Sequence, residues 1–211
     1  MTDATGVDSV LVRGLRLVLR DPVTADLEIL RYWLEPDHRW QELDGPASDL
    51  PAPAERELIL RARRQMIVAT EHPVPRRLLS IASIAEDELL GQVTWDVVRG
   101  ETTTTPGLNI VIYNPDLWGY GLGYEAMGLW IEYLFEADPD VPHLELRTWN
   151  RNQGMVRLAH KLGFDEVTPQ RRRRGFGLLG RRPEGVGFLL QREVWLERFP
   201  TGFVPSLGND E

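Results

Sequence analysis

The most restrictive stretch of this chain is Ile110–Ala126, IVIYNPDLWGYGLGYEA. An apolar, β-branched run from Leu108 to Tyr113 reads as a strand, and Asn114-Pro115-Asp116 interrupts it. Gly119, Gly121 and Gly123 follow at alternate positions and lead directly into a helical pattern. Met127, Trp130, Ile131, Leu134 and Phe135 recur on one face of that helix, which reaches about Ala137 and stops before Pro139. A strand that turns through glycines into a helix lets the backbone approach a ligand closely, and the first N–H groups of the helix face that ligand unpaired. The result is a cradle for an anion such as a pyrophosphate. Two other phosphate-binding loops are excluded. Counting from Gly119, Tyr124 occupies the last glycine of a G-x-G-x-x-G dinucleotide fingerprint, and no Gly-Lys-Ser/Thr of a P-loop exists anywhere.

Around this segment the pattern alternates between strands and helices. Leu11–Arg20 (LVRGLRLVLR) reads as one strand with a partial period of two, stopped by Asp21-Pro22. Thr24 is positioned to cap a helix carrying Leu27, Leu30, Trp33 and Leu34, with Asp26 and Glu28 in its first turn, where acids suit the helix dipole. Pro36 ends it. Asp44–Glu55, rich in Pro, Ala and Asp, reads as an irregular connection, and a second helix spans Ala54–Met66. Leu78–Ile84 and Leu89–Val98 read as a hairpin turning at Ala85–Glu88, and Leu144–Trp149 as a further strand. Asn152 caps a helix through Leu162, with Met155, Leu158, Ala159 and Leu162 on one face and Gly163 at the left-handed stop. Gln170–Leu179 and Val186–Val194 read as the last two strands, with a frayed tail from Pro200. The order predicts an α+β (mixed α/β) chain: one domain over 1–211, its body about 10–199 between short flexible tails, with helices on the faces of a mixed sheet.

Composition narrows the function. With 211 residues the chain suits one domain. The absence of cysteine removes disulfides, thiolate metal sites and thiol nucleophiles. A formal net charge of −8 argues against nucleic acid or an anionic membrane and favours a cationic partner. No stretch approaches a membrane span, and MTDATGVDSV lacks the basic and apolar regions of a leader, so a cytoplasmic location is expected. His38, His72, His143 and His160 fall in separate segments without ligand spacing, so no metal is expected. Arg171–Arg174 reads as a solvated edge, or a dimer or phosphate contact, and a homodimer stays open. Lys161 is the only lysine, which codon bias explains simply.

The glycine segment and Thr148–Phe164 (TWNRNQGMVRLAHKLGF) together resemble the two signature motifs of the GNAT superfamily of acyl-CoA-dependent N-acetyltransferases. Trp-Gly-x-Gly-x-Gly-x-Glu-Ala, Trp118–Ala126, is similar to the branch of the ribosomal-protein-alanine acetyltransferases RimJ and RimL. Asn152 and Lys161-Leu162-Gly163-Phe164 resemble that branch's second motif. The N-terminal strand, Asp26 and Trp33 resemble its opening, and Glu193-Val194-Trp195 its closing strand.

The resemblance implies a sheet of about seven strands with one splayed pair, and acetyl-CoA as co-substrate. It implies that the backbone of Gly119, Tyr120, Gly121, Leu122, Gly123 and Tyr124, following Trp118, holds the pyrophosphate. Ile110, Val111 and Ile112, on the strand from Asn109, would pair with the pantetheine arm, while Asn152 and Met155 line its far side. Arg157 and Lys161 read as surface charges within reach of phosphate. Trp40 and Asp44 fall where the family's first two helices flank the amine acceptor, or else on a surface loop.

The catalytic groups are where the chain departs from the family. The glutamate that many members carry before the glycine loop matches Gly107-Leu108-Asn109, and the usual Ser and Tyr positions hold Met155 and Ala159. Asn109, Asp96 and Tyr113 remain as substitutes for acid and base, each with an ordinary structural reading beside it, and a backbone amide near Val111 is the alternative donor to the carbonyl. The resemblance implies direct acetyl transfer to a primary amine: a protein α-amine, a polyamine, an aminoglycoside or another small amine. Two alternatives stand beside it. One is a larger acyl-CoA such as succinyl-CoA, met by arginines of 171–174 or 181–182; the other is a non-catalytic acyl-CoA-binding module.

Overall fold

A computed structural model of the chain describes residues 11–44, 51–99, 104–167 and 185–205. Eight strands form one sheet in the order β1-β2-β3-β4-β5-β6-β8-β7: β1 Leu11–Arg13, β2 Leu17–Arg20, β3 Leu78–Ser83, β4 Leu89–Arg99, β5 Thr104–Ile112, β6 His143–Trp149, β7 Asp165–Val167 and β8 Gly185–Gln191. Every neighbouring pair is antiparallel except β5–β6, which is parallel. Five helices accompany it: α1 Asp26–Leu34, α2 Pro53–Val68, α3 Leu122–Ala137, α4 Gln153–Leu162 and α5 Arg192–Arg198. The expected strand Gln170–Leu179 and the arginines at 171–174 and 181–182 lie outside the described residues.

Alternation along the strands sends side chains to two cores. On one face Leu17, Leu19, Ile81, Val93, Leu108 and Ile112 pack under α3 and α4, against Met127, Trp130, Ile131 and Leu162. The predicted stripe of α3 is buried as expected, and Ala126 and Leu129 are buried beside it, because the helix lies across the sheet. On the other face Leu89 and Tyr113 meet Leu30 and Leu34 of α1 and Leu60 of α2.

Three expectations are corrected. Leu11–Arg20 is two antiparallel strands, since the chain reverses at Gly14–Arg16, where Gly14 N–H donates to the Leu17 carbonyl at 2.9 Å. Leu15, expected on the apolar face, is therefore 49% exposed; the split and the unexpected short strand β7 bring the described strands to eight, without the one expected at Gln170–Leu179. The expected strand Val186–Val194 ends at Gln191 and becomes α5. There the Arg192 guanidinium takes the carbonyls of Phe135, Asp138 and Val141 at 2.9, 2.5 and 2.8 Å, closing the end of α3, while Trp195 is fully buried against Phe135, Phe199 and Phe203. The tail is not frayed at Pro200: Phe203 is buried, in ring contact with Tyr124 at 5.5 Å.

Candidate functional site

The parallel seam between β5 and β6 carries only two register pairs, Gly107↔Glu145 and Leu108↔Leu146. Beyond Leu108 the strands part, although β5 stays paired with β4 as far as Gly91↔Ile112. The β6-facing edge of Asn109–Ile112 is left without a strand partner, and this cleft between the parted strands lies on the stretch of β5 that leads into the glycine loop. Backbone groups alternate sides along a strand. Tyr113 N–H donates to Leu90 O on the β4 side, so the groups of Val111 also face β4, and those of Ile110 and Ile112 face the cleft. The backbone donor near Val111 is thus assigned by alternation to Ile110. The Ile112 carbonyl is already taken, by the Trp118 indole N–H at 2.9 Å. Trp118 is a brace between strand and loop.

At the head of the cleft, Gly119 and Gly121 both adopt left-handed backbone, φ 84° and 77°. Gly121 is the N-cap residue of α3, so the N–H groups of Leu122, Gly123 and Tyr124 open the helix without intrahelical partners. A Cβ on Gly119 would meet nothing within 4 Å, so the loop's outer side is open. Tyr120 is 69% exposed. From below, the Arg16 guanidinium holds the loop, donating to the Tyr120 carbonyl at 2.6 Å and to Glu125 at 2.9 Å. An open, cationically supported ring of unpaired amides fits a pyrophosphate.

Asn152 caps α4 as expected, its Oδ1 accepting from Met155 N–H at 3.0 Å. Its Nδ2 donates to the Leu43 carbonyl at 3.4 Å, tying α4 to the 3-10 turn Arg39–Asp44, which also packs against β6. Met155 is half-buried against the core. Lys161 Nζ lies 5.0 Å from the centre of the Tyr124 ring, on the loop side, while Arg157 is exposed.

The same 3-10 turn crosses to the end of β5. Trp40 meets Tyr113 edge-on at 5.6 Å and donates to the Trp33 carbonyl at 2.8 Å; Trp33 stacks with Tyr113 at 6.5 Å. Trp40 thus forms an aromatic wall with Trp33 and Tyr113, and Asp44 closes the turn. The Tyr113 hydroxyl donates to Gln92 Oε1 at 2.9 Å, which also accepts from Arg63 at 2.5 Å. Arg63 reaches Ser80, Ser80 donates to Asp26 at 2.8 Å, and Asp26 pairs bidentately with Arg20 at 2.9 Å. Burial pushes the Tyr113 phenol up to about 12, against the opposing pull of the Arg63 cation. Desolvation lowers Arg63, which is 3% exposed and has no ion pair among the described residues.

The three catalytic candidates are not brought together. Tyr113 is sealed and protonated, Asn109 is exposed just past the last β5–β6 pair, and Asp96 is exposed opposite Gly107, beside the closed part of the seam. Arg16, Arg63 and Gln92 carry no local sequence signal, and Glu125 shows in the sequence only as one position of the glycine-helix motif; tertiary packing gives all four their roles.

Comparison with known proteins bears on the family and the fold. Residues 16–165 match the family model described as acetyltransferase (GNAT) domain. No curated protein matches the sequence. Among solved structures, a GNAT-family acetyltransferase from Bacillus anthracis is similar at 16% identity, over 87% of this chain and 99% of that one, with a TM-score of 0.60. A candidate ribosomal-protein-serine acetyltransferase from Vibrio cholerae is similar at 21% identity, over 86% and 97%, with a TM-score of 0.61. The aminoglycoside acetyltransferase AAC(6')-Ib, solved with coenzyme A, is similar at 21% identity, over 88% and 99%, with a TM-score of 0.58.

Proposed function

The chain belongs to the GNAT family of acetyltransferases, and from that premise we propose that it moves the acetyl group of acetyl-CoA directly to a primary amine, either a protein N-terminal α-amine in the manner of RimJ and RimL or a small cationic amine. The observation that carries this reading is the parting of β5 from β6 directly below the Gly119–Tyr124 loop. One continuous groove then offers free strand edge to an amide-bearing arm and helix N-terminal amides to a diphosphate. Acetyl-CoA supplies the acyl group. The chain would hold its pyrophosphate on the backbone of Gly119–Tyr124 and its pantetheine along Ile110. The Ile110 N–H, facing the cleft, is the donor best placed to polarise an acyl oxygen there. The aromatic wall of Trp33, Trp40 and Tyr113 would bound the acceptor.

Asp96 and Asn109 are both exposed and stand apart, and neither is assigned the role of the base that takes the ammonium proton. The net charge of −8 favours a cationic acceptor by long-range attraction. A cytoplasmic location fits such acceptors. Incubation with acetyl-CoA and, in turn, kanamycin, spermidine and peptides starting with Ala or Ser tests the reading. Thiol release is read with a colour reagent, to which a cysteine-free protein contributes nothing. Amine-dependent release is expected; coenzyme A binding with no turnover on any of the four would overturn it.

A further inference from the structure

Glu145 stands at the fork where β5 and β6 part. It pairs with Gly107, and only Leu108↔Leu146 follows before the strands separate. Leu144 and Leu146 are buried in the core under α3 and α4, so alternation sends Glu145 and Arg147 to the opposite face of the sheet. Val111 and Tyr113 of β5 lie on that same face, packed with α1 and α2, the side on which the aromatic wall stands. The Glu145 side chain is 21% exposed. Its Oε2 accepts from Arg147 at 2.9 Å, and its Oε1 has no hydrogen bond among the described residues.

The neighbouring positions single out this carboxylate. A side chain on Gly107 would overlap Val98 of β4, so β5 carries none at this level. Asp96 shares the level and the face, but it stands on β4, behind the strand that borders the cleft. His143, two residues deeper in the closed seam, is engaged at Nε2 with Thr105 at 3.0 Å. Asp165 of β7 is two strands away and exposed. Arg39, on the 3-10 turn packed against β6, is held by Asp37. An arm held at its diphosphate by the Gly119–Tyr124 loop, running down the free edge of β5 past Ile110, brings its acyl end toward the closed seam. Gly107 is three residues beyond Ile110, about 10 Å of strand. A glutamate side chain and one water span that gap, which is the reach a general base requires.

We infer that Glu145 is the base of the acyl transfer, its free Oε1 taking a proton from the acceptor ammonium across one water. The neutral nitrogen then gives its lone pair to the thioester carbon. The N–C bond forms, the C–S bond breaks with its electron pair on sulfur, and a second N–H proton passes to that thiolate, giving the amide and the free thiol. Glu145 returns its proton to solvent. This rests on the amine acetyltransferase reading above and supplies its proton acceptor. Glu145→Gln removes the base at similar volume. For whichever of kanamycin, spermidine or the two peptides the wild type acetylates, kcat/KM for the amine at pH 7 is expected to fall at least about a hundredfold. The Kd for coenzyme A should stay within about two-fold. The deficit should shrink as pH rises toward the ionisation of the acceptor itself, about tenfold per unit, because solvent then deprotonates the amine in place of the carboxylate. A loss caused by packing alone would not follow pH in this way. If Glu145→Gln fails to fold, Glu145→Ala is read by the same measurements. A folded variant within about three-fold of wild type at pH 7, or a deficit that stays constant between pH 6 and 8, overturns the inference while leaving the enzyme reading intact; a wild type that acetylates none of the four amines overturns both.

Discussion

Glu125, buried in the first turn of α3, is bound to Arg16 twice: its Oε1 accepts from the Arg16 backbone N–H at 2.8 Å and its Oε2 from the Arg16 side chain at 2.9 Å. The same Oε1 takes the N–H of Leu15 at 2.7 Å. One carboxylate thereby fixes the reversal between β1 and β2, and Arg16 passes the restraint to the Tyr120 carbonyl in the glycine loop. Removing it should do two things at once. Glu125→Ala leaves buried amide donors and a partly buried guanidinium unpaired, which costs about 3–5 kcal/mol, read as a lower urea midpoint. Arg16→Ala should cost less stability but weaken coenzyme A, because the loop loses its support from below. Equal coenzyme A affinity in Arg16→Ala and wild type would contradict that link.

Gly121 and Gly119 share a left-handed backbone but differ in surroundings. A Cβ on Gly121 would come 3.3 Å from Arg16 Nη2, whereas one on Gly119 would meet nothing. Alanine at either position costs about 1–2 kcal/mol for the backbone alone, with Gly121→Ala the worse. Gly121→Glu adds a carboxylate where the anion should sit, so the coenzyme A Kd should rise at least about tenfold, roughly 1.4 kcal/mol. Titration of coenzyme A into the folded variant decides it, and an unchanged Kd would remove the loop from the binding site.

Tyr113 makes stability fall in strong alkali. Its phenol is pushed up to about 12 by burial, while an unfolded tyrosine ionises near 10. Between those values the unfolded chain has lost the proton and the folded chain keeps it. The unfolded state is therefore favoured increasingly as pH rises through that window, and below about 10 the group has no effect on stability. Two units correspond to about 2.7 kcal/mol at most. Tyr113→Phe should lose the bond to Gln92 but show a shallower drop in urea midpoint between pH 9.5 and 11.5. Tyr133, also raised by burial, contributes to the slope left in the variant. An identical slope in the two proteins would mean the phenol is not held protonated. The same protonation excludes Tyr113 as a general base near neutral pH.

What could be read from the sequence was what local geometry specifies. The glycine turn, the stripe of α3 and the Asn152 cap each depend on residues within a few positions of one another, and each is where it was expected. The break at Gly14–Arg16 was not legible, because Glu125, which stabilises it, lies 109 residues from Arg16 in the chain. Asp26 looked like an acid suited to a helix dipole; packing instead makes it the 1%-exposed partner of Arg20. The chain Asp26–Ser80–Arg63–Gln92–Tyr113 draws on α1, β3, α2, β4 and the end of β5, so no window of sequence contains it. Val186–Val194 read as one strand, but the chain turns helical after Gln191, where Arg192 satisfies carbonyls at the end of α3 that lie more than fifty residues away in the sequence.

The segment after α5 is part of the core, and its removal should show as lost stability. The Phe203 ring lies so close to Gly128 that a Cβ there would overlap it, and it also packs on Trp195 at 5.7 Å. Phe203→Ala empties a site between α3 and α5 and should cost about 3–5 kcal/mol. Gly128→Ala alone should also destabilise, because the ring cannot stay where it is. Combined, the two should not add: with the ring gone, the new methyl enters vacated space, and Gly128→Ala in the Phe203→Ala background should cost little or stabilise. Residues in direct contact characteristically couple in this way. Urea midpoints of the four proteins close the cycle, and strict additivity would show that Phe203 does not occupy the space over Gly128.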